Sequence, residues 1–192
     1  MIETKTLSRE KNASSWHIYS YNIANYDGFG NLREEGTLDT DGIYYAKRNI
    51  RYDNMCRPSY ISDAEGNENT YSYSCWGELN ETIDSFGNLY RIDKDLKLQN
   101  EMSYFVSKEN LQKYRQDSTN ALLMENVMIS DLDQFGQVCK RTAYPNWPDK
   151  SEAVTELYTY DILGNLVTYL DPKQNKNSEG YTRKYIYDSD VV

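Results

Sequence analysis

The chain has 192 residues, and its 30 acidic against 21 basic side chains give a net charge of -9, which opposes binding to a phosphate backbone that Lys and Arg must neutralise. Hydrophobic residues make up 39% and the mean hydropathy is -0.84, too polar for a thick core, so the 19 tyrosines supply much of the apolar surface. No stretch approaches the roughly 20 apolar residues that cross a bilayer as a helix; nucleic acid and membrane insertion are both excluded as expectations.

The amino terminus, Met1 to Leu7, lacks the apolar core of a signal peptide. Two expectations are compatible with that: a cytoplasmic protein, or a piece of a longer exported chain, for which an extracellular or cell-surface location is favoured. Trp16-His17-Ile18-Tyr19-Ser20-Tyr21 alternates with period two and is expected to be a strand. His17 lies inside it as a structural or surface residue. With no nucleophile in a recognisable setting and no Gly-x-Ser-x-Gly elbow, no catalytic residue is assigned.

Asp27-Gly28-Phe29-Gly30-Asn31 follows, and its pattern of Asp, two spacers, Gly, then Asn or Gln returns at Asp63-Gly66, Asp84-Gly87, Asp133-Gly136 and Asp161-Gly164. An Asp at the first position of a turn accepts hydrogen bonds from the amides just after it. A Gly three residues on tolerates positive φ, as expected of Gly30, Gly87 and Gly164. Each copy is a chain reversal. Asp39-Thr40-Asp41-Gly42 resembles the middle of a calcium loop but lacks the further oxygen ligands and the closing Glu, so it too is expected to be a turn. No metal or other cofactor is expected.

Tyrosine pairs at alternate positions flank these turns: Tyr19 and Tyr21, Tyr71 and Tyr73, Tyr158 and Tyr160, Tyr185 and Tyr187. Both members of a pair project from one face of a strand, a half-buried surface that suits Tyr. The unit is strand, turn, strand. Tyr52, Tyr73 and Tyr160 each have an Asp eleven residues on, at Asp63, Asp84 and Asp171, so the turns belong to a repeat of roughly twenty residues with insertions. Cys56 stands where that repeat would have Gly, and with Cys75 and Cys139 it is expected to be a small half-buried residue.

Between Lys94 and Ser130 the pattern breaks. Leu96-Lys97-Leu98, Met102 to Phe105, Leu122-Leu123-Met124 and Val127-Met128-Ile129 suggest strands, and Ser107 to Arg115 suggests a short helix begun by a Ser cap. Together they are expected to form a longer hairpin with an insertion at its tip. Tyr144 to Lys150, with Pro145 and Pro148, is a further irregular connection.

Tyr160-Asp161-Ile162-Leu163-Gly164-Asn165-Leu166, followed by Asp171, resembles the Tyr-Asp repeat of the RHS (rearrangement hotspot) family, and Tyr26 to Leu32 is similar. Tyr52-Asp53 and Tyr187-Asp188 open further copies, and Tyr73 to Leu79 is a copy with Ser74 in place of Asp. The resemblance covers about 19–93 and 131–188, with an insertion over about 94–130. It implies an all-β fold, a single array of antiparallel hairpins over 1–192 in an extended, curved sheet. Large relatives, among them insecticidal toxin complexes, polymorphic toxins and teneurins, curl such a sheet into a hollow shell. Some also carry a self-cleaving Asp-Pro-x-Gly centre after the array; Asp171-Pro172-Lys173-Gln174 has Gln for the Gly and lies inside a repeat, so that activity is not carried over.

The resulting expectation is a non-catalytic structural module whose partners are other parts of a longer RHS-type chain or its cargo. A second expectation is carbohydrate stacking on Trp76, Trp147, Tyr73 and Tyr160, and a third is an intracellular protein-binding role such as a toxin antidote. Self-association through edge strands is expected from Tyr181, Tyr185 and Tyr187 on one face of the last strand.

Overall fold

The computed structural model describes residues 2–8, 17–38, 41, 43–171 and 183–187. Trp16, most of the Asp39 to Gly42 segment, Pro172 to Gln174, Tyr181 and Asp188 lie outside the described residues. The chain divides into two compact units, Met1–Phe86 and Gly87–Val192. Every strand pairing described within them is antiparallel and joins neighbours in sequence.

The first unit holds β1 (Ile2–Ser8), β2 (His17–Tyr26), β3 (Leu32–Leu38), β4 (Tyr44–Tyr52), β5 (Pro58–Ser62), β6 (Glu68–Tyr73) and β7 (Leu79–Ile83). Successive strands reverse direction, so successive turns alternate between the two ends of the strands. The turns at Asp27, Asp53 and Ser74 share one end, and the turn at Asp63 lies at the other. Burial alternates along β6, where Tyr71 and Tyr73 are half-buried between exposed neighbours. Period two thus places both tyrosines on one face. Among the described residues, the buried apolar side chains here are Leu38 and Ile50.

The second unit holds β8 (Leu89–Asp95), β9 (Asn100–Val106), α1 (Lys108–Gln116), β10 (Glu125–Leu132), β11 (Val138–Tyr144), β12 (Val154–Tyr160), β13 (Leu166–Leu170) and β14 (Arg183–Lys184). β9 and β10 form the long hairpin expected there, with α1 and a 3-10 turn over Ala121–Leu123 at its tip. Two expected strands are corrected. Leu96 to Leu98 is the turn joining β8 to β9, where Asp95 Oδ1 accepts the Lys97 and Leu98 amides at 2.9 and 3.1 Å. Leu122 to Met124 is taken by the 3-10 turn, which Asn120 caps by accepting the Leu122 N–H at 3.2 Å. Ser107 does occupy the N-cap of α1, but its side chain makes no capping bond. Asn88 Oδ1 accepts the Lys108 amide instead, at 3.1 Å.

Among the described residues, most of the buried apolar side chains lie beside this insertion: Leu89, Tyr104, Val106, Tyr114, Met124 and Val127. Tyr114 is the buried residue of α1, and its ring meets Tyr104 edge-on at 6.1 Å. Tyr104 donates to Asp93 Oδ2 at 2.7 Å, which leaves Tyr114 as donor in the 2.6 Å bond between the two hydroxyls. Arg91 closes the network on Asp93 Oδ1 at 2.8 Å. Burial first, then the Tyr114 and Asp93 bonds, push the Tyr104 hydroxyl well above its usual range.

Gly30, Gly66, Gly77, Gly87, Gly136 and Gly164 all have φ between 81 and 89°. Cys56 has φ 59° at the same turn position. The cysteines depart from expectation, because Cys56 and Cys75 sit on turn tips and are exposed; Cys139 alone is half-buried. A residue with a Cβ in this region is strained by about 1–2 kcal/mol. Cys56→Gly is therefore expected to raise stability by about 1 kcal/mol, read as a higher urea midpoint at unchanged slope. A Cβ on Gly30 meets nothing within 4 Å; the loss expected of Gly30→Val, also about 1–2 kcal/mol, is purely that of the backbone.

Candidate functional site

The feature repeated most faithfully is a hydrogen-bonded turn, and three copies close in the same way. At Asp27, Oδ1 accepts the amides of Phe29 and Asn31, each at 2.9 Å, and Oδ2 accepts the Asn31 side-chain amide at 3.0 Å. Asp63 holds Glu65 and Asn67, and Asp161 holds Leu163 and Asn165, with the same three bonds. The main chain adds an N–H from the Gly to the Asp carbonyl and one from the Asp to the carbonyl of the last turn residue. All these bonds are local to five residues.

Variants show which parts are interchangeable. At Asp53 the last residue is Arg57, whose guanidinium replaces the Asn amide on Oδ2 with contacts of 2.7 and 2.8 Å. At Ser74 a hydroxyl oxygen replaces the carboxylate and accepts the Trp76 and Glu78 amides at 3.3 and 3.2 Å. At Asp84, Oδ1 accepts the Phe86 amide at 3.0 Å. At Asp133 the two backbone amides are held at 2.8 and 2.9 Å, but the last residue is Gln137. One methylene longer than Asn, its amide reaches the Gly164 carbonyl of the following turn at 3.1 Å. A Cβ on Gly164 would lie 3.1 Å from that same nitrogen.

The turns at Asp27, Asp53, Ser74, Asp133 and Asp161 share one further feature that the Asp63 turn lacks, and four of them, at Asp27, Asp53, Asp133 and Asp161, show a second. The first is a register shift just inside the turn. Asn25 faces Glu34 while Tyr26 faces Leu32, which leaves Arg33 as an extra residue, and the corresponding extra residues are Ser59, Asn80, Cys139 and Val167. No such shift occurs between β5 and β6.

The second is a tyrosine clip. The hydroxyl of Tyr52 donates to the Leu32 carbonyl at 2.8 Å, Tyr73 to Pro58 at 2.8 Å, Tyr160 to Val138 at 2.9 Å and Tyr187 to Leu166 at 2.9 Å. Each acceptor is the first residue of the strand leaving a turn; Tyr52, Tyr73 and Tyr160 end the next strand of the sheet, and Tyr187 lies three residues past β14. The ladders between those strands begin two residues further in, at Glu34, Tyr60, Lys140 and Thr168. The phenol satisfies a carbonyl that the ladder does not reach, joining one hairpin to the next.

The aromatic residues expected to stack sugars have separate surroundings. The Arg57 guanidinium lies over the Tyr73 ring at 4.4 Å. Trp147 meets Tyr144 edge-on at 5.4 Å and carries the Lys150 ammonium 5.3 Å over its ring. Tyr160 is a clip. Trp76, on a turn tip, is 77% exposed. It is one of several apolar side chains exposed on tips, with Phe29, Met55, Phe86, Phe135 and Leu163. The expected last strand does not reach the two tyrosines: β14 is Arg183–Lys184, both exposed, and Tyr185 and Tyr187, which follow it, are partly exposed. Among the described residues no three His, Cys, Asp or Glu side chains converge as a metal ion would require, and no helix is long and apolar enough to cross a membrane.

Solved structures of longer chains share this fold. The crystal structure of TcdB2-TccC3-TEV superposes with a TM-score of 0.66 at 16% identity, over 92% of this chain and 10% of that one. The chain shares its fold. The Photorhabdus luminescens Tc holotoxin pore with a TccC3 variant gives 0.68 at 16% identity over 97% of this chain and 11% of that one, and TcdB2-TccC3 gives 0.65 at 16% identity over the same shares. The chain thus spans about a tenth of the length of the structures it matches. No family model and no curated protein matches the sequence.

Two outcomes follow from the geometry. Tyr160→Phe keeps the ring and strips the Val138 carbonyl of its donor, an expected loss of about 1–3 kcal/mol in urea denaturation, whereas Trp76→Ala on its exposed tip is expected to change stability by under about 0.5 kcal/mol. The side-chain bonds from Asn31, Arg57, Asn67 and Asn165, followed by the backbone amides, hold Asp27, Asp53, Asp63 and Asp161 below the ordinary carboxyl value of 3.8. A depressed folded-state value stabilises fully above that of the unfolded chain and is lost as the pH falls below it. The urea midpoint is expected to be flat above about pH 5 and to fall below about pH 4, with a shallower fall in Asp161→Asn.

Proposed function

We propose that the chain is a non-catalytic structural module of the RHS type, a stretch of hairpin wall in a larger secreted or cell-surface protein that encloses or displays another domain. The tyrosine clip is the observation that carries this reading. Four hairpins close their own turns and fasten to the chain that follows through one phenol each, so the array extends by repetition and uses its polar groups for construction. The fold shared with long toxin-complex chains, of which this one spans about a tenth, supports the same reading.

Carbohydrate binding is the alternative, and the exposure of Trp76 favours it. Native-source immunoblotting followed by limited proteolysis separates the two. A wall module is expected within a polypeptide much larger than 22.5 kDa, with another domain protected from protease until Tyr160→Phe combined with Asp161→Ala loosens the wall. A free 22.5 kDa protein that loses glycan binding on Trp76→Ala would replace this reading with the alternative.

A further inference from the structure

Two of the three cysteines stand on neighbouring turn tips of the first unit, and both are exposed. Cys56 is the fourth residue of the Asp53 turn, two residues before β5, and Cys75 is the second residue of the Ser74 turn, two residues after β6. β5 and β6 are antiparallel neighbours, so the two tips lie side by side at one end of the strands. Met55, which precedes Cys56, is 73% exposed. One edge thus carries two thiols and a thioether. Cys139, by contrast, is half-buried in the second unit, where its thiol donates to the Asp131 carbonyl at 3.4 Å.

The thiol at position 56 does nothing for the turn. The turns at Asp27, Asp63, Ser74, Asp84, Asp133 and Asp161 have Gly at the fourth position, with φ between 81 and 89°, and Cys56 adopts φ 59° in its place. A residue with a Cβ is strained in that region, so the backbone gains nothing from Cys here and the thiol is what the position keeps. The two tips are also fastened to each other. The Tyr73 hydroxyl donates to the Pro58 carbonyl at 2.8 Å. The Arg57 guanidinium, paired with Asp53, lies 4.4 Å over the Tyr73 ring and 3.5 Å from where a Cβ on Gly77 would sit. One side chain therefore reaches from the Asp53 turn to the Ser74 turn.

We propose that Cys56 and Cys75, with Met55, bind a soft monovalent cation, Cu(I), between the two tips. Thiolate and thioether sulfurs are the ligands that select Cu(I) over harder ions, and each thiol releases its proton as it binds. Two thiolates suffice for Cu(I). Zn(II) takes four ligands in a structural site, and no three His, Cys, Asp or Glu side chains converge among the described residues. A Cys56–Cys75 disulfide fits less well, because it needs Cα atoms roughly 4.4–6.8 Å apart. The outermost backbone pair of the β5–β6 ladder is Tyr60 and Thr70, and beyond it a phenol and a guanidinium join the two chains. An ion bridges that wider gap with two metal–sulfur bonds. The site stands whether or not the chain is part of a wall.

Anaerobic titration of the reduced full chain with Cu(I), in competition with a chromophoric Cu(I) chelator, tests the assignment. One ion per chain is expected, held at least about a hundredfold more tightly than by Cys56→Ser or Cys75→Ser and about tenfold more tightly than by Met55→Leu. Cys139→Ser is expected to match the parent. Cys56→Gly, expected to be the more stable protein, is expected to lose the ion all the same, which separates a lost ligand from lost folding. No uptake by the parent, uptake unchanged in Cys56→Ser or Cys75→Ser, or uptake abolished in Cys139→Ser overturns the proposal. One ion per two chains, with dimers in sedimentation, assigns the thiols to a contact between molecules and overturns it as well. So does a complete Cys56–Cys75 disulfide on treatment with oxidised glutathione, if the chain takes up no Cu(I) after reduction; the pair is then a cross-link.

Discussion

A carboxylate that accepts the amides of its own turn is the constraint on which the rest of the chain depends. Five residues reverse the backbone, and the first side chain takes up N–H groups that would otherwise face solvent unpaired. Since every bond lies within the five residues, the reversal needs no support from a core. That independence matters in a chain whose mean hydropathy is -0.84 and whose buried apolar side chains, among the described residues, are few. Order that most domains obtain from apolar burial is obtained here from turns closed one by one.

Closed turns alone would give separate hairpins, and the clip tyrosines supply the connection. The strand leaving a turn carries a bulge, the ladder to the next strand starts beyond it, and the outermost carbonyl is left over. A phenol is long enough to reach that carbonyl from the neighbouring strand while its ring remains half-buried on the sheet face. The pairing of Tyr with the Asp that follows it in the repeat thus has two separate causes: the Asp closes its own turn, and the Tyr caps the strand that left an earlier one.

The turns and strands were legible because their signals are local. Asp-x-x-Gly-Asn reports its own hydrogen bonds, and alternating tyrosines report a face. What escaped were features set between segments. Nothing about Leu122 or Leu96 reveals that one enters a 3-10 turn under an Asn cap and the other sits in a turn held by Asp95, since a short apolar run reads equally well as a strand. The clip was half visible: the Tyr was in the repeat, but its acceptor lies 15 to 22 residues away and is a backbone carbonyl with no side-chain signature. That Arg33 is the extra residue of a bulge is likewise announced by no residue type. Cys56 was placed correctly in the repeat yet assigned the wrong burial, because at that position the backbone angle, not the side chain, is what the fold requires.

Gln137 differs from the Asn of the other copies by one methylene, and its reach to Gly164 has a mechanical meaning. Hairpins pulled apart across a sheet break a few hydrogen bonds at a time, so a stretched array gives way strand by strand at low force. A side chain that ties two tips on the same edge spans the strands between them, and a load applied there must break the tie before either hairpin can peel. The segment from β10 to β13 is in this sense a reinforced seam, set by one choice between Asn and Gln.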